Sequence, residues 1–211
     1  MTNIDHIYIC MAAPLLIGML FAGRRRRSDF LFVLSGMTAC LLSAYVSGFF
    51  TGFYGADVST ATAEITPVVE EVIKLLPLLF YLLVFEPKPQ RAQTAAIVIA
   101  VSFATFENTC WLVKNGAEHL GFLLLRGFGA GAMHVICGAM VSAGLAYAWR
   151  STWQKVAGTT GLLCAAVTFH GMYNLLLSAG GTLQSLGYAL PIAAALLGFA
   201  ATKLLHLRTD E

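Results

Sequence analysis

Apolar segments long enough to cross a bilayer recur seven times in this chain, and that recurrence sets the fold class before any single residue is considered. A hydrocarbon core takes roughly 20 helical residues to cross, at about 1.5 Å per residue. The segments run over about 4–23, 30–50, 66–85, 94–113, 120–148, 156–178 and 187–205. Hydrophobic residues make up 58% of the 211 and charged residues only 11%, against about 25% charged in a soluble domain. We read an all-α, polytopic membrane protein, a single membrane-embedded domain over 1–211 whose surroundings are the lipid bilayer. No low-complexity tract, long polar linker or internal repeat interrupts it, and no basic-aromatic surface suggests nucleic acid as a partner. Cys10, Cys40, Cys110, Cys137 and Cys164 all fall in apolar segments at irregular spacing. That predicts small buried hydrophobes rather than disulfides or cysteine-held metal.

Charge placement gives an orientation. The first segment has the length of a signal peptide, but Asp5 and His6 precede it and Arg24, Arg25, Arg26 and Arg27 follow it. A cleavable signal carries its positive charge first, so a retained anchor with its N-terminus outside is expected. Seven spans then place ten Lys and Arg residues on the cytoplasmic side, with the C-terminus, and only Lys114 on the outer side. This is the asymmetry that sets membrane topology.

The third segment breaks the apolar rule. Glu70, Glu71 and Lys74 lie inside it, although a charge near mid-bilayer costs about 2.5–3.5 kcal/mol on insertion scales. Thr66 and Pro67 supply a helix start. Glu107 and Asn108 lie in the fourth span, Arg126 and His134 in the fifth, and His170 and Asn174 in the sixth. Helical spacing puts Glu70 and Lys74 on one face, with Glu71 three residues from Lys74, and His170 and Asn174 on another. Measured inward from the outer boundary, the Glu pair lies roughly 5–8 Å deep, Glu107 about 9 Å, His170 roughly 12 Å and Asn174 roughly 6 Å. His134 counts deeper, about 20 Å from the start of its long segment. Four clusters on four helices at similar depth point to one polar site. Close by in the fifth segment, Gly127 and Gly131 form a small-xxx-small pair, which predicts close helix packing there. His6, His119 and His206, at span ends or in loops, are given no role.

Such a set suits hydrolysis of a peptide bond. The reaction needs an activated water and a stabiliser for the developing oxyanion. A carboxylate beside a histidine can act as general base, and a second carboxylate held ionised by Lys74 can take a different role. His170 and Asn174 on one face can polarise the carbonyl. A metal version uses the same residues: Glu107, His134 and His170 as three ligands, with a position left for water, a set suited to Zn2+. The residue types leave the two versions open. No His-Glu-x-x-His helix, Gly-x-Ser-x-Gly elbow or Gly-x-Gly-Asp pattern is present, which removes the commonest metallo, serine and aspartyl readings.

The ordered motifs Glu70-Glu71-x-x-Lys74, Phe103-x-x-x-Glu107-Asn108, Arg126 with Met133-His134, and His170-Gly171-x-x-Asn174 resemble those of the PrsW family of intramembrane proteases. That family is similar to the CAAX prenyl endopeptidase and bacteriocin-processing superfamily. The resemblance covers about 67–177, and the catalytic core is expected over about 66–178. It implies a multi-pass endopeptidase of the bacterial inner membrane that cleaves a membrane-anchored protein near the outer face. Site-1 cleavage of an anti-sigma factor is the reaction linked to the family. By the same analogy Glu70 and His134 activate water, and His170 and Asn174 stabilise the oxyanion. Glu71 and Glu107 support the site or bind metal, with Lys74, Asn108 and Arg126 in supporting places. A CAAX-type or bacteriocin-processing protease, a proton-coupled transporter and a non-catalytic scaffold are the competing functions. The lack of internal repeats and of polar residues in the inner half of the third and sixth spans weighs against transport.

Overall fold

A computed structural model describes residues 4–116, 120–148 and 152–209. His119 and Arg150 lie outside them, as do the side chains of Lys155, Lys203, His206 and Arg208. Among the described residues the chain is helical and without strands. Its elements are α1 (Ile4–Phe21), α2 (Arg24–Tyr54), the single turn α3 (Val58–Thr60), a π turn (Ala61–Ile65), α4 (Thr66–Phe85), α5 (Pro89–Asn115), α6 (Leu120–Ala148), α7 (Thr152–Ser178) and α8 (Gly181–Thr209). The seven long helices correspond to the seven apolar segments. Six are long and apolar enough to cross a membrane. The exception is α4, which carries Glu70, Glu71 and Lys74.

The outward faces are apolar, as a lipid solvent requires. Leu20, Phe21, Phe53, Phe80, Phe128 and Phe199 are all exposed. Two apolar clusters form the interior. One joins α4, α5 and α6 around Leu78, Ile99, Met133 and Cys137, and the other joins α1, α2 and α5 around Met37, Phe103 and Phe106. With lipid as apolar as the core, helices hold together by close packing rather than by hydrophobic burial. Small residues allow that approach. A Cβ at Gly36 would run into the Ile99 carbonyl, so α2 and α5 are nearly in backbone contact. A Cβ at Gly138 would sit 2.9 Å from Ala100 Cβ, bringing α6 equally close to α5.

On α6 the close contact is not where the small-xxx-small spacing predicts it. A Cβ at Gly127 or Gly131 would meet nothing within 4 Å. Gly129 makes the contact instead, since a Cβ there would lie 2.6 Å from the Tyr188 ring of α8. Two residues turn a helix about 200°, so Gly129 faces nearly opposite to its two neighbours.

Residues 51–65, between the second and third apolar segments, are largely helical rather than a loop. Helix α2 runs on to Tyr54 and ends at Gly55, whose φ of 62° makes a left-handed cap. Asp57 then accepts the Thr60 N–H at 2.7 Å and starts a new turn. The chain passes through the π turn directly into α4. Pro67 accounts for this turn. It has no N–H, so neither the carbonyl four residues before it, Ala63, nor the one five before, Thr62, receives a bond from it. Helix α7 donates to the Thr62 carbonyl and packs against Ala63. Asn174 Nδ2 donates to the Thr62 carbonyl at 3.0 Å. Gly171 lets the backbone of α7 lie against the Ala63 carbonyl, which a Cβ would approach to 3.1 Å. The His170-Gly171-x-x-Asn174 motif is thus also a docking motif for the start of α4, one turn before Glu70.

Candidate active site

Four helices deliver polar side chains to one buried cluster. Helix α4 brings Glu70, Glu71 and Lys74, α5 brings Glu107, α6 brings Arg126 and His134, and α7 brings His170 and Asn174. Four-residue spacing does not keep Glu70 and Lys74 together. The ammonium of Lys74 turns instead to Glu71 Oε1 at 2.5 Å and to His134 Nδ1 at 2.8 Å. The Phe103 ring lies 4.7 Å below it, so a cation can sit there with little water. Glu71 also meets His170 Nδ1 at 2.8 Å.

These partners fix the histidine tautomers. An ammonium can only donate, so His134 Nδ1 accepts from Lys74 and the ring proton sits on Nε2. His134 Nε2 then donates to Glu107 Oε2 at 2.8 Å. Ionised Glu71 can only accept, so His170 carries its proton on Nδ1 and leaves a lone pair on Nε2. That lone pair faces Glu70 Oε2 at 3.8 Å. Glu70 Oε2 is buried and has no hydrogen-bond partner. Two acceptors therefore face each other with nothing donating between them. Such an arrangement calls for a cation, a proton or a water.

Of the residues named from sequence, all but Asn108 have a place in this geometry. His134, which counted as deep, stands at the centre of the cluster: its ring lies 5.1 Å from that of His170, edge to face. Glu107 holds His134 on one oxygen, while its other oxygen lies 3.5 Å from Arg126 Nη2. The Arg126 guanidinium stacks 4.4 Å over Trp111, a partner that sequence did not suggest. Asn174 is tied to the π turn. The Asn108 amide oxygen is buried without a partner, and no hydrogen bond joins it to the cluster.

A cavity of about 420 Å³ opens beside the cluster, with Glu70, Glu107, Arg126, His170, Tyr173 and Asn174 in its wall. Tyr173 has no signature in the sequence, because a tyrosine in an apolar helix reads as packing. On the far side of Glu70 and Glu107 lies a second cavity of about 220 Å³, bounded by α1 and α2 residues such as Ile7, Cys40 and Ala44.

The residues fit a metal ion, with Glu70 in the place expected for Glu107. Glu70, His134 and His170 each offer a ligand atom, and these atoms lie within 4.8 Å of one another. Two carboxylate–histidine bonds back the two rings, Glu71 on His170 and Glu107 on His134. This is the outer-shell pattern that orients metal-bound imidazoles. One Glu and two His form a donor set that zinc uses in hydrolases. Lys74 qualifies the fit, since its ammonium holds the Nδ1 lone pair that His134 would offer.

Comparison with curated proteins and with solved structures gives no match. A family model does match: PrsW family intramembrane metalloprotease, over residues 15–201. Nearly the whole chain is included, with all four helices of the cluster, and the protein belongs to this family of membrane-embedded peptidases.

Proposed function

We propose that this protein hydrolyses peptide bonds of membrane-anchored proteins at the Glu70–His170 pair, near the outer face of a bacterial inner membrane. The observation that carries the reading is the unpartnered Glu70 oxygen opposite the free His170 Nε2, in the wall of a cavity of about 420 Å³. A buried acceptor without a donor is costly, about 1–3 kcal/mol, so the retention of Glu70 Oε2 in that state indicates use. The membrane side follows from the arginine and lysine asymmetry, with the N-terminus outside. A membrane-anchored anti-sigma factor, cleaved at its outer-face site, is the substrate that best suits this position.

The residues of the chain divide the work. Glu70 meets the reacting water and accepts its proton in the version without metal. In the metal version Glu70, His134 and His170 would hold Zn2+, which supplies Lewis-acid polarisation and lowers the pKa of water when bound. Glu71 keeps the His170 proton on Nδ1, so that Nε2 stays a lone pair. Glu107 holds the His134 ring and is itself held by Arg126. Lys74 balances Glu71. Phe103 and the apolar wall exclude water from the back of the cluster.

The test is incubation of the purified protein, in bilayers, with a panel of single-span proteins. Specific cleavage that is lost with chelator and restored by Zn2+ supports the metal version. Cleavage indifferent to chelator supports Glu70 alone as base. Absence of cleavage across a panel that includes bacterial anti-sigma factors would overturn the reading.

A further inference from the structure

Five buried side-chain atoms lack a hydrogen-bond partner among the described residues: Ser47 Oγ, Glu70 Oε2, Asn108 Oδ1, Arg126 Nε and Tyr173 Oη. Three of the five, on Glu70, Arg126 and Tyr173, belong to residues that line the same cavity. Their chemistry is complementary. Glu70 offers an acceptor, whereas Arg126 Nε–H and the Tyr173 hydroxyl are donors. Peptide hydrolysis needs that combination: an acceptor for the proton of water, and donors for the carbonyl oxygen as it gains negative charge.

The residues expected to serve the oxyanion are otherwise engaged. His170 uses its N–H on Glu71, which leaves a lone pair facing Glu70 Oε2. Asn174 uses an amide hydrogen on the Thr62 carbonyl, where it holds the π turn. Tyr173 and Arg126 have no such commitment at Oη and Nε. Both are nine-tenths buried, at 5% and 8% exposed, so their donors act in a dry wall where electrostatic interactions are strong. Both are also held rigidly. The Tyr173 ring packs edge-on against Tyr188 at 6.2 Å. The Arg126 guanidinium is fixed by Trp111 on its face and Glu107 at its end.

Resting on the protease reading above, we infer that Tyr173 Oη and Arg126 Nε form the oxyanion site, donating to the carbonyl oxygen of the scissile peptide while Glu70 lies on the water side. As water adds to the carbonyl carbon, the C=O pair moves onto oxygen and is met by the two donors. The proton leaves to the carboxylate and then passes to the departing amine. Asn174 and His170 become positioning residues, acting through the π turn and Glu71.

Tyr173→Phe tests this because it removes one oxygen and keeps the ring against Tyr188. Loss of one oxyanion donor costs about 10²–10³ in kcat. The expected result with a single-span substrate that the wild type cleaves is a fall of that size in kcat with KM within about twofold. A peptide phosphinate that mimics the tetrahedral intermediate should lose affinity by a similar factor. Stability in detergent should be unchanged or higher, because a buried unpaired hydroxyl has gone. Arg126→Lys, which keeps the charge near Glu107 but has no Nε–H, should lower kcat in the same direction. Wild-type kcat and phosphinate affinity in Tyr173→Phe would overturn the inference and leave the protease reading intact. If the wild type itself cleaves nothing, the protease reading falls and this inference falls with it.

Discussion

Replacing Lys74 with methionine removes the cation from the most enclosed ion pair of the site and shows what holds the cluster together. The Lys74 and Glu71 side chains are 7% and 3% exposed, 2.5 Å apart. Without the ammonium, Glu71 keeps only the His170 N–H, and His134 Nδ1 loses its donor. Breaking a buried pair by removing one partner costs about 3–5 kcal/mol, mainly because the other charge stays behind in a poor solvent. Lys74→Met should therefore lower unfolding free energy by about that amount, and Glu71→Gln should be comparable. The Lys74→Met/Glu71→Gln double variant strands neither charge, so its loss should fall short of the sum by up to about 3 kcal/mol. Glu70→Gln supplies the contrast: Glu70 Oε2 has no partner to lose, so neutralising it should be neutral or stabilising. Equilibrium unfolding in mixed micelles, followed by circular dichroism, measures all four. Single variants costing under about 1 kcal/mol, with additive effects in the pair, would refute the reasoning, because such values belong to exposed ion pairs.

Other consequences are more local. Asn174→Ala leaves the exposed Thr62 carbonyl without its side-chain donor and should cost about 0.5–1.5 kcal/mol, with faster hydrogen exchange in the π turn ahead of α4. Gly129→Ala should destabilise by about 1–3 kcal/mol through its collision with Tyr188. Gly127→Ala and Gly131→Ala, which open on free space, should be neutral or slightly stabilising in the same unfolding experiment.

The helices and the site differ in how far the sequence revealed them. Span length and charge content are properties of a segment, so the seven long helices follow from hydropathy, and the charges in α4 set it apart from the other six. The convergence of Glu70, Glu71, Glu107 and His170 follows from depth arithmetic and from the ordered motifs, whereas His134 counted as deeper than the rest. Pairing followed only in part, because contacts between helices depend on how they rotate about their axes. Helical spacing put both Glu70 and Glu71 within reach of Lys74, whereas packing selects Glu71 and adds His134. The π turn was not foreseen for a different reason: Pro67 gives the Thr62 carbonyl no bond, and the donor that serves it, Asn174 of α7, is 112 residues away in sequence. Small-residue spacing located the right helix but the wrong face, since Gly127 and Gly131 satisfy the pattern while Gly129 makes the contact. Tyr173 left no trace at all. The role we infer for it rests on a hydroxyl without a partner, which only the packed structure can show.

The most direct measurement of the central claim is the turnover of Glu70→Gln on a membrane-anchored substrate in reconstituted bilayers, alongside circular dichroism to establish that the helices are intact. The substitution keeps the shape of the side chain and removes its charge and basicity. A group that accepts the proton of water, or holds the metal that binds it, should be worth at least about 10²-fold in kcat. The account predicts a folded protein with turnover reduced by that factor or more. Wild-type turnover in folded Glu70→Gln would contradict it.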